Sequence, residues 1–454
     1  MASDALVPEP LQERAEATVE RVIAATVELL DRVEESDVTL TAIAEHSGIS
    51  TGSLYHHFGA RDHVIVVAHA RRFARLLQHQ RALLEPVLQD ADALRMLGGI
   101  EALIGSGTPE RGGSGRAVAV SVLSASRHRP ELRQRVADDL AATLAQLRDH
   151  IATAQARGVI RADLPPDAVA VCMQLVMLMS GMAVSSEPRL AVIEWVAVVQ
   201  ALVHALLVHD CPTSCGLGSD TELPTGAAQR PPDTGAGDDS GRVALTLTDI
   251  AVAPPADEQA LLQAVIETLD QHGPEAVVLR ELCDRVGISA SWLHRHFGDR
   301  RQLIDAARLE LARQQSLREI AAFAALLDVG DDREQIVRQL TELVQGLGAA
   351  RSPVPHLERI DLVASALHEP GLLAAWIDIT AAAVDRMSMT LEALQQRGAM
   401  RGDLSARAVG RLLWGLMTAG VVARFAAVDA DAWAALSVAI VEVLVGTGPD
   451  AARA

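Results

Sequence analysis

Lysine is absent from the sequence, so arginine fills all 40 of its Lys and Arg positions. Cysteine is scarce, with four residues in a chain of 454, which excludes the disulfide-stapled scaffold of a small secreted protein. Aromatic residues make up only 2%, and sustained apolar/polar alternation, the pattern of strands, is missing. Hydrophobic residues nevertheless account for 49%, which excludes wholesale disorder, and abundant Ala and Leu favour helix. We therefore predict an all-α protein.

Motifs for catalysis are missing too. The sequence has no phosphate-binding glycine loop, no HExxH and no nucleophile elbow, so we expect neither an enzyme nor a bound cofactor. Cys211, Cys215 and the nearby His209 lack a clear fourth ligand, so we predict no metal site. The first residues have neither a cationic nor an apolar segment, so we expect no signal peptide and a cytoplasmic protein.

Two apolar stretches, Ala168–Ala183 and Leu190–Val208, approach the length of a membrane span. The first is slightly short and contains Gln174, and the second carries Glu194 in its interior. Neither is followed by the cluster of basic residues that orients a span. We predict buried bundle helices rather than a membrane role.

A long internal repeat organises the chain. Leu40–Gly59 and Leu279–Gly298 share eight of twenty residues at a shift of 239 positions. At a shift of 240, residues 128–130 match 368–370, and residues 157–164 match 397–404. Matches at both ends of each half, at nearly one offset, indicate duplication of a whole domain.

Each half is predicted to be a series of amphipathic helices. The expected elements of the first half are a helix over about 12–33, two short helices, a long helix over about 61–84 that ends before Pro86, and three to five further helices to about 208, interrupted by a glycine loop over 105–115. The second half is expected to repeat this plan from about Asp257 to Gly446.

Residues 39–58 have the pattern of a helix-turn-helix. Thr39 can cap a short helix, Gly48 suits the left-handed position that ends it, and Ser50 can cap the next helix. Leu54 and Phe58 are four residues apart and therefore share the buried face of that second helix. Polar side chains are then presented outward, as in a helix that reads the major groove of DNA.

This segment resembles the signature of the TetR family, with Arg61 standing where the family usually has lysine. The resemblance covers both halves of the chain. It implies, for each half, a three-helix head that binds operator DNA and a helical body that binds a small ligand and dimerises. The expected domains are a first head over 12–63, a first body over 64–209, a flexible linker rich in Pro, Gly, Asp and Thr over 210–255, a second head over 256–302 and a second body over 303–448.

The resemblance assigns DNA contacts to residues of the first head. Thr39 and Thr41 would lie at the edge of the groove, and His57 and Arg61 would hold the phosphate backbone, which positions a protein without reading sequence. The residues expected to approach base edges or nearby phosphates are Ser50, Thr51, Gly52, Ser53, Tyr55 and His56.

The second head departs from the family pattern. Val278 stands in place of the capping threonine, Trp292 in place of a small residue, and His294 in place of the tyrosine. These changes fit either recognition of a different DNA sequence or a head that no longer binds DNA. The second head is the more basic of the two, and this favours DNA contact. The residues expected to make it are Arg280, Ser289, Ala290, Ser291, Trp292, His294, Arg295, His296 and Arg300.

The bodies offer candidates for a ligand site and for an interface. Met-rich residues 172–182 form either a buried bundle helix or the lining of a ligand site. The candidate ligand-binding residues are Met173, Met177, Trp376 and Trp414. In the TetR family the last two helices of the body pair with those of a partner, and here these are about 166–184 with 189–208 and about 405–424 with 430–446. The halves could form an intramolecular pseudo-dimer, or two chains could form a homodimer that displays four heads.

These features predict a transcriptional repressor that an unidentified small-molecule effector releases from double-stranded operator DNA. The net charge of −19 predicts weak non-specific affinity for DNA and a steep loss of binding with salt. Because the reading helices differ, we expect an asymmetric operator with unlike half-sites. The alternative is a ligand-sensing or protein-interaction module in which one or both heads no longer bind DNA.

Overall fold

The computed structural model describes residues 11–90, 92, 95–96, 98–99, 109–186, 192–207, 253–329, 332–349, 354–425 and 430–446. Within these ranges all regular secondary structure is helical, which confirms the predicted all-α class. The predicted linker lies outside the described residues except for its last three positions, and so do His209, Cys211 and Cys215. No described helix is long and apolar enough to cross a membrane.

The first half contains eight helices in its described residues. They are α1 (Leu11–Leu30), α2 (Leu40–Ser47), α3 (Thr51–Phe58), α4 (Arg61–Leu88), α5 (Pro109–Arg127), α6 (Pro130–Ala156), α7 (Pro166–Ser186) and α8 (Val192–Leu207), with a short 3-10 helix at Glu35–Asp37.

The described residues of the second half repeat this plan. They form α9 (Ala256–His272), α10 (Leu279–Val286), α11 (Ala290–Phe297), α12 (Arg300–Ala324), α13 (Arg333–Ala349), α14 (Val354–Ala366), α15 (Pro370–Gln396), α16 (Ala406–Phe425) and α17 (Ala430–Val445), with 3-10 helices at Pro274–Ala276 and Ala325–Val329.

Two predicted boundaries were wrong. Helix α4 continues through Pro86 to Leu88, because this proline lies in the last turn and the buried Leu84 and Leu88 anchor that turn in the core. Helix α5 begins at Pro109 and includes three of the glycines that we assigned to a loop. Proline at the first helical position already has the φ angle of a helix and gives up no hydrogen bond there.

Local capping explains the two short helices of the first head. The hydroxyl of Thr39 accepts a hydrogen bond from the Ala42 amide at 3.1 Å, and that of Ser50 accepts one from Ser53 at 3.2 Å. Gly48 adopts φ +67°, a left-handed conformation that costs other residues about 1 kcal/mol. These three predictions are confirmed.

Burial divides the molecule into two small cores and one large one. Each head has its own apolar core, centred on Ile43 and Leu54 in the first head and on Leu282 and Leu293 in the second. One continuous core runs through both bodies. The heads are therefore separate units on a shared base.

The two halves pack on each other through equivalent helices. Helices α7 and α8 lie against α16 and α17, and α5 lies against α14. Each of these contacts joins a helix of the first body to a helix of the second. Helix α7 contacts α17 just as its equivalent α16 contacts α8, so the contacts are reciprocal, as in an approximate two-fold arrangement of the halves.

Candidate nucleic-acid interface

The reading helix of the first head is α3, which lies on the head core with one face turned outward. Leu54 is 1% exposed on the inner face, whereas Tyr55 is 56% exposed on the outer face. Most of the residues proposed to contact DNA share this outer surface: Ser50, Thr51, Gly52, Tyr55 and His56 are exposed, and Ser53 and His57 are half-buried. Thr39 and Thr41, at the start of α2, are exposed as well.

Helix α11 is the equivalent element of the second head. Ser289 caps it by accepting a hydrogen bond from the Trp292 amide at 3.1 Å, and Leu293 is buried beneath it. The exposed members of the predicted set are Arg280, Ser289, Ala290, Ser291, His294 and Arg295. Both reading helices thus present short polar or charged side chains to solvent.

Trp292 and His296 differ from the other candidates because they contact each other. Their rings stack with centroids 4.0 Å apart, and Nδ1 of His296 lies 2.8 Å from the Trp292 carbonyl. Trp292 also packs partly buried against the core of its head. The stack gives α11 a broad, rigid aromatic flank that α3 lacks.

Arg61 and Arg300 make contacts that the sequence did not indicate. Nε of Arg61 donates to the Val38 carbonyl at 2.6 Å, and its guanidinium also donates to the Glu35 carbonyl. Arg300 repeats this geometry on the Val277 carbonyl, at 2.8 Å, and on that of Pro274. Each arginine therefore clamps the backbone of the 3-10 helix that precedes α2 or α10.

A charged cluster joins the first head to its body. Glu35 accepts hydrogen bonds from Arg129 at 2.5 Å and pairs with Nε2 of His69 at 2.9 Å. Burial favours protonation of Glu35, but the hydrogen bond with His69 and the charge of Arg129 outweigh it and lower its pKa to about 2. Burial also lowers the pKa of His69. The second head lacks this cluster, because Pro274 occupies the position of Glu35.

Arg72 adds a second link between the first head and its body. Its guanidinium lies 2.5 Å from the carboxylate of Asp31 and 3.3 Å from the Leu30 carbonyl. Sequence analysis missed Arg72, Glu35, His69 and Arg129 because the partners are 34 to 94 residues apart in the chain.

A shallow cleft lies in the first body between α4, α6 and α7. It is lined by Gln80, Arg81, Leu84, Glu85, Leu88, Thr143, Gln146, Leu147, His150 and Gln174. Nε2 of Gln174 donates to Oε1 of Gln80 at 3.1 Å, and both side chains are buried. The cleft therefore combines apolar walls with a polar pair at its base.

In the second body a buried arginine stands between the two positions that correspond to Gln80 and Gln174. By the shifts of the repeat, Glu319 and Trp414 take the places of Gln80 and Gln174. Between them lies Arg359, 1% exposed, with its guanidinium carbon 4.7 Å from the Trp414 ring centroid and Nη2 3.1 Å from both carboxylate oxygens of Glu319. The position equivalent to Arg359 in the first body is Ala119, and there Gln80 and Gln174 contact each other directly.

The four candidate ligand-binding residues lie in the shared core. Met173, Trp376 and Trp414 are buried, and Met177 packs half-buried against that core. None of the four lines the cleft, although Met173 precedes Gln174. Among the described residues, no group of three or more His, Cys, Asp or Glu side chains is placed to hold a metal ion.

Comparison with known proteins agrees with the geometry of the heads. The sequence profile described as "Bacterial regulatory proteins, tetR family" matches residues 22–66 and again residues 261–307. A search of curated proteins finds no match. Among solved structures, Salmonella enterica GusR is 16% identical over 44% of this chain and 98% of its own, with a TM-score of 0.33. The chain therefore carries two tetR-family domains in tandem, one at the start of each half.

Proposed function

We propose that this protein is a transcriptional repressor that reads an asymmetric operator with two unlike heads and leaves it when a small molecule binds. The observation that carries the proposal is the exposure of both reading helices. Helices α3 and α11 are each capped by serine and anchored by a buried leucine, and each presents polar side chains outward. Base edges in the major groove are read by side chains in this position.

The packing between the bodies supports an intramolecular pseudo-dimer. A TetR-like interface needs two helices from each of two units, and here α7 and α8 lie against α16 and α17 of the same chain. One chain then displays two heads, which suits one operator with two half-sites. A homodimer with four heads would need a further surface.

The cleft in the first body supports one effector site per chain. Its apolar walls and the paired amides of Gln80 and Gln174 suit a mainly apolar molecule that carries a hydrogen-bonding group. In the second body the equivalent positions, Glu319 and Trp414, both contact Arg359 instead. An effector acts by binding more tightly to the body conformation in which the heads no longer match the operator.

The cluster around Glu35 supports a route from the body to the first head. Arg129 begins the turn into α6, which lines the cleft, and it holds Glu35 next to the helix-turn-helix. A shift of α6 would move this contact. The second head has no equivalent pair, so we propose that the effector acts mainly on the first head.

DNA binding is tested by fluorescence anisotropy with the gene's upstream DNA at several salt concentrations. We expect Tyr55→Ala and Arg295→Ala each to weaken binding roughly tenfold, as the loss of one base or phosphate contact does. Matched controls are Leu83→Ala and Arg338→Ala, which remove an exposed apolar and an exposed basic side chain from the bodies. If neither head variant weakens binding, the sensing or interaction module replaces this proposal.

A further inference from the structure

The contact between α5 and α14 contains a buried ionic cluster that spans the two halves. Nη1 of Arg127, from the first half, lies 2.6 Å from Oδ2 of Asp361, and its other amino group pairs with Glu358. The three side chains are only 10%, 4% and 4% exposed. Ser124 of the first half also donates a hydrogen bond to Asp361 at 2.7 Å.

The second half supplies only part of the charge that its own carboxylates need. Arg308 on α12 lies 3.3 Å from Glu358 and 3.5 Å from Asp361. Two buried carboxylates therefore face one arginine of their own half and one arginine of the other half. Arg127 supplies the second arginine, and His128 of the first half also lies 4.0 Å from Asp361.

The duplicated positions on the other side of the approximate two-fold axis carry no such charges. At a shift of 240, Arg127 corresponds to Leu367, and Glu358 and Asp361 correspond to Val118 and Ser121. The cation thus belongs to the first half alone, and the two anions belong to the second half alone. The halves are complementary at this contact, although they arose by duplication.

A second ion pair between the halves also has partners whose duplicated positions do not repeat the pair. Glu34 of the first head pairs with Arg301 on α12. At a shift of 239, Glu34 corresponds to Gly273 and Arg301 to Asp62. If two first halves paired, Glu34 would face Asp62, which is a contact between like charges.

Pairing of two second halves would leave Glu358 and Asp361 with Arg308 alone, and pairing of two first halves would leave Arg127 without a carboxylate. In a pair of two second halves, Glu358 and Asp361 of each half would face Leu367 of the other. This unfavourable contact would occur twice, because the pair is symmetric. Two first halves would set Arg127 against Val118 and Ser121, also twice. A buried ion that loses its partner is strongly destabilising, so each alternative is disfavoured.

We propose that Arg127, Glu358 and Asp361 form a pairing code that joins a first half to a second half and excludes pairs of like halves. The inference rests on the pseudo-dimer of the proposed function. The hydrophobic packing between the bodies could form between like or unlike halves. The buried charges favour the pair of unlike halves. The code ensures that two unlike reading helices are always displayed side by side.

The test moves one arginine to the equivalent position of the other half. In the full-length double variant Arg127→Leu/Leu367→Arg, the second half carries both the cation and the anions, and the first half carries neither. At the Arg127 cluster, pairs of like halves are then satisfied, and the pair within one chain is not. We expect the wild-type protein to have the mass of one chain, 48.2 kDa, and the double variant to form particles of twice that mass.

The matched control is Arg32→Gln/Gln271→Arg, which moves an arginine between equivalent exposed positions of the two heads. We expect this control to keep the mass of one chain. Mass is measured by native mass spectrometry and light scattering without DNA, so the result does not depend on whether the heads bind an operator.

Two outcomes overturn the inference. A double variant that folds and keeps the mass of one chain shows that the cluster does not select partners, although the pseudo-dimer would stand. If the wild-type protein is itself a particle of two chains, both the inference about the cluster and the intramolecular pseudo-dimer are contradicted. If the double variant does not fold, Leu367→Arg alone changes a side chain that is 39% exposed. It is expected to give a two-chain fraction at concentrations where the wild type has none, and the absence of that fraction also overturns the inference.

Discussion

Arg61 and Arg300 illustrate how neighbouring groups decide what a side chain does. The family resemblance assigns Arg61 to the DNA backbone. In the structure, however, Arg61 and Arg300 each donate hydrogen bonds to two backbone carbonyls of their own head. A guanidinium can reach two carbonyls at once because its donors are fixed in a planar fork. A contact with phosphate through the remaining donors stays a prediction.

Substitution of Arg61 separates these two roles. We expect Arg61→Lys to lower the free energy of unfolding of the first head by on the order of 1–2 kcal/mol, because an ammonium group cannot replace the forked pair of hydrogen bonds. The measurement is urea denaturation without DNA. Lysine keeps the charge and can still contact a phosphate, so an unchanged stability would show that the two carbonyl contacts of Arg61 do not stabilise the head.

Asp305 is a buried carboxyl whose charge is poorly supported. Burial raises its pKa to about 6, although Arg308 and Arg301 lie 3.7 and 4.0 Å away. A carboxyl whose pKa is raised on folding contributes stability that is fully present below its ordinary pKa of 3.8 and is lost as the pH rises through 6.

Replacing Asp305 by asparagine tests this sign. At pH 7 we expect Asp305→Asn to be more stable than the wild type by on the order of 2 kcal/mol, because the unfavourable ionisation is removed. Below pH 4 the difference is expected to disappear. Thermal unfolding across pH 4–8 measures it, and a wild-type stability that rises over this range relative to the variant would contradict the assignment.

At the scale of elements, the two heads differ in how their short helices begin. The Thr39 hydroxyl caps α2, whereas Val278 at the start of α10 has no side chain that can accept a hydrogen bond. Helices α3 and α11, by contrast, are capped alike, by Ser50 and Ser289. Helices α3 and α11 are therefore equally well capped at their N-termini, and α10 is the helix that lacks a side-chain cap.

Exchanging the cap residues tests this comparison. We expect Val278→Thr to stabilise the second head by about 1 kcal/mol, since Val278 is 44% exposed and a threonine there can accept from the amide three residues on. Thr39→Val is the reciprocal change and is expected to destabilise the first head by a similar amount. Hydrogen exchange of the α10 and α2 amides resolves the heads separately. Equal protection of α10 in wild type and variant would argue against a missing cap.

At the scale of the whole molecule, two unlike heads stand on one shared core. The shared core connects the two heads, and helices α3 and α11 differ at the positions of Thr51, Ser53 and Tyr55, which are Ala290, Trp292 and His294 in the second head. Because the net charge is −19, we predict that affinity for DNA comes from local contacts at the heads.

Selection of bound sequences from random DNA tests the asymmetry. We expect a site with two unlike half-sites, bound at least about tenfold more tightly than a palindrome built from either half, because each mismatched base pair costs about 1–3 kcal/mol. Affinity is expected to fall steeply between low and moderate salt. Equal affinity for the asymmetric site and for both palindromes would contradict two different reading helices.

Much of this protein was predictable from local sequence. The caps at Thr39 and Ser50, the left-handed Gly48 and the buried face of Leu54 depend on residues within four positions of each other, where helix geometry leaves few choices. The repeat at shifts of 239 and 240 predicted two equivalent units, and the profile matches confirm both. Outward-facing reading helices followed from the same periodicity.

Contacts between distant residues were decided by the tertiary structure. Glu35 and Arg129 are 94 residues apart, and Arg127 and Asp361 are 234 apart, so no local pattern joins them. The same holds for Arg359, which pairs with Glu319 although 40 residues separate them in the chain. Sequence periodicity determines which face of a helix is apolar. Which helix covers that face, and which buried charge meets its counter-charge there, depends on how the whole chain packs.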